Sequence, residues 1–178
     1  MKAPGLTRTR RTFFAPIWVA LLAAVRVSLY LFSTTTTVVL VRHAEKAPPE
    51  SGPDPVLSAE GQERALRLAR LLGEADVAAV YASDTRRAQL TASPLAARLG
   101  VTVTTRAGND VEGLLDDIGE HHQGERVVVI GHSNTVPALV EQLTRGRAEV
   151  TMSDDEFDAV YVVTVTRFGP ASVLRLRY

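Results

Sequence analysis

Two short apolar runs, each ending at a histidine, constrain this chain more than any other feature in it. Residues 38–41 read Val-Val-Leu-Val and stop at Arg42-His43; residues 127–130 read Val-Val-Val-Ile and stop at Gly131-His132. Unbroken runs rich in β-branched residues read as strands buried on both faces, as in a parallel sheet. After the first run, Pro48, Pro49, Pro53 and Pro55 argue against regular structure. Parallel strands bring their carboxyl ends to one edge, where open α/β sheets place their sites. His43 and His132 can therefore share a site despite their separation in sequence. The Arg42-His43 pair joins a fixed cation to a nitrogen nucleophile, which suits attack on a phosphoryl group.

The segments between these runs alternate in kind. Ser58 is a natural N-cap for a helix over 59–72, with Ala65, Leu68, Ala69 and Leu72 on one face and Gly73 closing it. A second strand is expected at 77–81. A helix over 85–99 follows, with Ser83 and Asp84 offered as caps and Gly100 as its stop. A third strand spans 101–105, and a helix runs from Val111 to about Glu120. The strand at 127–130 leads through Gly131-His132-Ser133-Asn134 into a helix carrying Val136, Leu139, Val140 and Leu143 inward. Two final strands, 159–166 and 172–178, are joined by a turn at Phe168-Gly169-Pro170 and read as an antiparallel hairpin. Strands alternating with helices predict a three-layer α/β/α sandwich around one mainly parallel sheet. Two helix N-termini, two histidines and several arginines would then meet at one edge and form an anion site.

Composition narrows the chemistry. Net charge is zero, which gives no electrostatic case for a nucleic-acid partner, and the absence of cysteine removes disulfides and thiolate chemistry. Residues 1–12 carry Lys2, Arg8, Arg10 and Arg11 without an acid, and residues 13–32 are apolar apart from Arg26. A basic start before an apolar segment resembles a secretory signal or an uncleaved signal anchor. No small-residue cleavage site follows Phe32, which favours an anchor. The alternatives are an extra amphipathic helix on a cytoplasmic protein, or a misassigned start. The expected division is a segment 1–33 and a domain 34–178, with 33–37 as a short polar linker. An inserted segment would keep residues 1–12 in the cytoplasm and place the domain outside it.

Four motifs in order resemble one family. Arg-His-Ala-Glu-Lys at 42–46, Leu-Ser-Ala-Glu-Gly at 57–61, Ser-Asp-Thr-Arg-Arg-Ala-Gln-Leu-Thr-Ala at 83–92 and Gly-His-Ser-Asn-Thr-Val-Pro at 131–137 are similar to the histidine phosphatase superfamily, the phosphoglycerate-mutase-like group. The resemblance runs from Val38 to the C-terminus and leaves out the N-terminal segment. It implies a phosphoglycerate-mutase-like fold and a phosphomonoester hydrolase in which His43 becomes phosphohistidine. Arg42, Arg87 and His132 are implied to hold the phosphate, with no metal or cofactor required; Ser133 and Asn134 read first as caps of the following helix, with N–H contact to phosphate as a secondary role. Setting Thr91-Ala92 on the family's Gln-Thr-Ala triplet selects Arg87 over Arg86, although the triplet's Gln is Leu90 here. The family places its general acid after the third strand in many members, which points to Asp110, with Glu112 as the alternative; either could instead be an acid in a helix's first turn. His121 and His122 read as the end of an exposed helix.

Other readings fare worse. Val-Val-Val-Ile-Gly-His-Ser resembles a strand before a nucleophile elbow, but Thr135 stands where the elbow needs glycine and no histidine follows Ser133. The mutase pattern continues with Gly-Glu-Ser after Arg-His, whereas this chain has Ala44-Glu45-Lys46. A non-catalytic phosphate-binding or membrane-tethered interaction module is the alternative, against which stands the presence of both histidines and the arginine pair. Phosphorylated small molecules and phosphoprotein side chains both remain open as substrates.

Overall fold

The computed structural model describes residues 15–33, 35–48, 52–167 and 169–178. The basic residues Lys2, Arg8, Arg10 and Arg11, together with Pro49 and Phe168 of the expected loop and turn, lie outside the described residues. The chain divides into two units, Met1–Ser33 and Thr34–Tyr178.

The described residues of the first unit form the helix α1 (Ala15–Ser33). Trp18, Val19, Leu21, Leu22, Val25 and Val27 are all exposed on it, Trp18 at 61% and Leu22 at 63%. Among the described residues, no helix is long and apolar enough to cross a membrane.

The second unit runs β1 (Thr35–Arg42), α2 (Ala59–Leu72), β2 (Val77–Ser83), α3 (Arg86–Leu99), β3 (Val103–Arg106), α4 (Val111–His121), β4 (Arg126–Gly131), α5 (Thr135–Thr144), β5 (Ala159–Thr166) and β6 (Ser172–Arg177). Its sheet has the order β3-β2-β4-β1-β5-β6. The first four positions in that order are parallel, while β5 is antiparallel to β1 and β6 is antiparallel to β5. Successive residues of a strand face opposite sides. Val39 and Val41 accordingly join Leu68, Leu72, Ala92 and Leu95 of α2 and α3 on one face. Val38 and Leu40 join Leu114, Ile118, Val136 and Leu139 of α4 and α5 on the other. Each face thus has its own packed helix layer, and the expected three-layer sandwich with a mainly parallel sheet is the observed fold.

Three local expectations need correction. The polar stretch before Val38 is largely strand: Thr35, Thr36 and Thr37 pair with Thr166, Val165 and Thr164 of β5. Threonine is β-branched, and the partner strand draws it into the ladder. The proline-rich loop is not wholly irregular, because Lys46 and Leu57 bridge and Ala47 N–H donates to Val56 O at 2.8 Å. Neither Ser83 nor Asp84 caps α3. The N-cap is Thr85, whose side chain makes no capping bond to the helix, and its Oγ1 bonds Ser83 Oγ at 3.0 Å instead. The acceptor at the helix start is Asp54, whose carboxylate oxygens lie 3.0 and 3.2 Å from Arg86 N–H.

Candidate active site

The sheet register brings the two histidines together. Arg42 of β1 stands opposite Gly131 of the neighbouring parallel β4, and His43 N–H donates to Gly131 O at 2.9 Å. One residue past each strand, the His43 and His132 rings lie 5.3 Å apart between centroids at an interplanar angle of 65°.

His43 is only 5% exposed. Its Nδ1 lies 2.8 Å from Ala44 O, and its Nε2 lies 3.1 Å from Arg87 Nε. A carbonyl oxygen can only accept and a guanidinium nitrogen can only donate, so the proton sits on Nδ1 and the lone pair on Nε2. Burial pushes the imidazole's pKa down to about 4; the Ala44 carbonyl opposes this, and the charges of Arg87, His132 and Arg42 add to it. His43 is therefore a neutral base at pH 7 with its lone pair aimed at a guanidinium.

Arg42 is held from the side of the chain between α5 and β5. Its Nη1 donates to Ser153 O at 2.9 Å and Glu156 O at 3.2 Å. Its guanidinium carbon lies 4.1 Å from the centroid of the Phe157 ring. Arg42 Nε is buried and has no hydrogen-bond partner among the described residues. Arg87, in the first turn of α3, donates from Nε to His43 and pairs through Nη1 with Asp54 at 3.5 Å. The adjacent Arg86 is exposed.

Thr91, fully buried one turn along α3, joins the two catalytic candidates. Its hydroxyl accepts from Ala44 N–H at 3.0 Å and donates to Arg87 O at 2.7 Å. His132 is half-buried; its pKa is lowered by desolvation and by Arg87, with Asp84 acting the other way. A Cβ at Gly108 would come within 3.1 Å of His132 Nε2, and Thr135 Oγ1 donates to Gly108 O at 3.0 Å. Glycine at 108 lets the loop between β3 and α4 lie directly against the imidazole.

The structure therefore brings Arg42, His43, Arg87 and His132 into one cluster. Asp110 is bonded to none of them. The Asp110 carboxylate is the N-cap of α4, accepting from Gly113 N–H at 3.0 Å, and among the described residues it makes no hydrogen bond or ion pair with the four. The reason is local, because an aspartate at a helix start finds unpaired N–H groups closer than any distant ligand. Glu112 is exposed in the first turn of α4. Asn134 is the exposed N-cap of α5, two residues beyond His132, with its Oδ1 3.4 Å from Thr135 Oγ1. The start of α3, expected as open anion-binding N–H groups, is occupied by Asp54.

The second motif has a structural task. Ser58 N–H donates to Glu45 O at 2.9 Å, and Ser58 Oγ accepts from Gly61 N–H at 3.0 Å. A side chain at Gly61 would run into the Glu45 carbonyl. The Glu45 carboxylate is gripped by Arg64, with Nε 2.7 and 2.9 Å from its two oxygens. Residues 57–64 thereby clamp the loop that carries His43. Sequence reasoning missed Asp54, Phe157 and the Glu45–Arg64 pair. Asp54 had a signal, being an acid between two prolines; Phe157 had none. Among the described residues, no group of three or more His, Asp or Glu side chains is arranged to hold a metal ion.

Comparison with known proteins bears on the sequence family and the fold. Residues 38–110 match the histidine phosphatase superfamily (branch 1) profile. No curated protein matches the sequence. Among solved structures, the fold is similar to mycobacterial hydrolase 1, at 15% identity and a TM-score of 0.64 over 81% of this chain and 99% of that one. It is also similar to the protein histidine phosphatase SixA complexed with tungstate, at 19% identity and a TM-score of 0.64 over 79% and 96% of the two chains. A third is mycobacterial glucosyl-3-phosphoglycerate phosphatase with inorganic phosphate, at 17% identity and a TM-score of 0.62 over 80% and 96%. At these identities the likeness is one of fold. The sequence match makes residues 38–110 of this chain similar to the histidine phosphatase superfamily, and the solved structures share its fold.

Proposed function

We propose that the chain hydrolyses phosphomonoesters through a phosphohistidine on His43. The observation that carries this reading is the neutral, buried imidazole whose Nε2 lone pair lies 3.1 Å from the Arg87 guanidinium, beside Arg42 and His132. A dianionic phosphoryl group entering the cluster offers Arg87 a stronger acceptor than Nε2 does. Arg87 then turns its donors to the phosphoryl oxygens and frees the lone pair. Nε2 attacks phosphorus in line with the departing oxygen, forming the N–P bond as the O–P bond breaks. Water then displaces the imidazole and releases inorganic phosphate. Arg42, through its unpartnered Nε, and His132 complete the positive surround for the equatorial oxygens. The scheme asks for no metal.

Asp110 is assigned the proton for the leaving oxygen, with Glu112 as the alternative. Asp110→Asn keeps the helix cap and removes the proton. It is expected to lower kcat for an alkyl phosphate at least tenfold, on the order of a general acid's contribution, and to spare p-nitrophenyl phosphate, whose leaving group needs no proton. Equal effects on both substrates would remove Asp110 from the mechanism. Substrates are phosphorylated small molecules or phosphoprotein side chains. The fold neighbours, one titled a protein histidine phosphatase and one a sugar-phosphoglycerate phosphatase, support a phosphatase and leave both classes open. The exposed apolar residues of α1 support attachment of the chain to a membrane, and the basic residues within 1–12 favour a catalytic unit outside the cytoplasm, with a cytoplasmic location as the alternative.

The test uses the full-length chain with p-nitrophenyl phosphate and excess chelator, wild type beside His43→Ala. Chelator-resistant turnover that disappears in the variant is expected. Equal turnover in the two proteins would sink His43 as nucleophile.

A further inference from the structure

The proline-rich loop reaches into the site through one side chain, Asp54. Pro55, which follows it, is buried, and a residue preceding proline is confined to extended backbone. Pro53 restricts the loop on the other side. Asp54 is thus presented on a stiff segment, and its carboxylate meets two partners at once. One oxygen lies 3.0 Å from Arg86 N–H, and the other lies 3.2 Å from the same N–H and 3.5 Å from Arg87 Nη1. Arg87 meanwhile donates from Nε to His43 Nε2. The guanidinium is therefore held at both ends, by a carboxylate on Nη1 and by the nucleophile on Nε, while its backbone carbonyl is fixed by Thr91.

On the phosphatase reading given above, we propose that Asp54 is a positioning residue for the reaction. It anchors Nη1 of Arg87 so that the remaining donors face the phosphoryl group on His43. An arginine side chain has several rotatable bonds, and an anchored one loses less freedom when it takes up an anion. The same carboxylate fills the first N–H of α3, so that helix start is not itself a phosphate seat. The role is distinct from catalysis, since Asp54 touches Arg87 rather than the reacting atoms.

Asp54→Asn separates anchoring from capping. Asparagine caps a helix about as well as aspartate. Its neutral amide, with its single oxygen on Arg86 N–H, lacks the charge that holds Nη1. Full-length wild type, Asp54→Asn and Asp54→Ala would be compared by calorimetry with inorganic phosphate, by kcat and KM for p-nitrophenyl phosphate, and by Tm. The expected result is a Tm for Asp54→Asn close to wild type, with phosphate affinity and kcat/KM each lowered about tenfold, a modest case of the loss that misplacing a positioning group causes. Asp54→Ala should show the same functional loss together with a lower Tm. Wild-type phosphate affinity and kcat/KM in Asp54→Asn would reduce Asp54 to a helix cap and overturn the proposal. Tighter phosphate binding in that variant would overturn it too, by showing the carboxylate to be a competitor for the anion. Wild type that neither binds phosphate nor turns over substrate would overturn the phosphatase reading, and this inference with it.

Discussion

His43 shows how two neighbours can set the chemistry of one side chain. The Ala44 carbonyl accepts a hydrogen bond from Nδ1–H, the Arg87 guanidinium faces Nε2, and burial makes the charged ring costly. The consequence for stability has a definite sign. The folded ring titrates at about 4 against 6.5 in the unfolded chain, so between those values the unfolded chain holds more protons. Stability from this group is complete above pH 6.5 and is lost as the pH falls towards 4, by roughly 3 kcal/mol in all. His132, whose pKa is also lowered, acts in the same direction. Urea midpoints measured from pH 7 to pH 4 should therefore fall, and fall less steeply in His43→Asn. A variant with the wild-type slope would mean that His43 does not carry this dependence.

At the scale of elements, the clamp at the start of α2 connects helix geometry to the site. Ser58 caps the helix, Gly61 lets its first turn lie on the Glu45 carbonyl, and Arg64 one turn later grips the Glu45 carboxylate. The apolar face of the helix, Ala65, Leu68, Ala69 and Leu72, then fastens this assembly to the sheet. Gly61→Ala forces a methyl group into the carbonyl and should destabilise the protein by about 1–3 kcal/mol, as overpacking does. It should also lower kcat/KM, because the displaced backbone adjoins His43. Chemical denaturation and steady-state assay of the purified variant would check both, and wild-type values in each would remove the clamp from the account. The helix limits were readable from the sequence, because caps, glycines and apolar spacing are local signals. The clamp was not, since nothing within residues 57–64 names Glu45 as their partner.

For the molecule as a whole, the sheet order explains why one edge carries the chemistry. β1 lies between β4 and β5, so its last residues are covered on both sides and Arg42 can be buried against the chain between α5 and β5. The other unit raises a different question, because α1 exposes apolar side chains that water solvates poorly. If the proposed attachment holds, full-length chain expressed in cells should stay with the membrane fraction after an alkaline carbonate wash. Quantitative release into the wash would overturn it.

Periodicity, caps and the order of four motifs were enough to establish from the sequence alone the alternation of strands and helices, the three layers, and the meeting of Arg42, His43, Arg87 and His132. The elements and layers rest on short-range rules and the meeting of the histidines on the shared direction of parallel strands, whereas the choice of Arg87 over Arg86 rests on the resemblance to a family. Tertiary structure alone decided what those residues touch. Arg42 bonds a carbonyl 111 residues away, Ala44 a hydroxyl 47 residues away, and Arg87 is anchored by Asp54 from a loop that looked merely irregular. It also engaged Asp110 as a helix cap and drew Thr35 to Thr37 into the sheet. Hydrogen-bond partners are chosen by proximity in the folded chain, and one-dimensional patterns record which residues can pair without recording which of them meet.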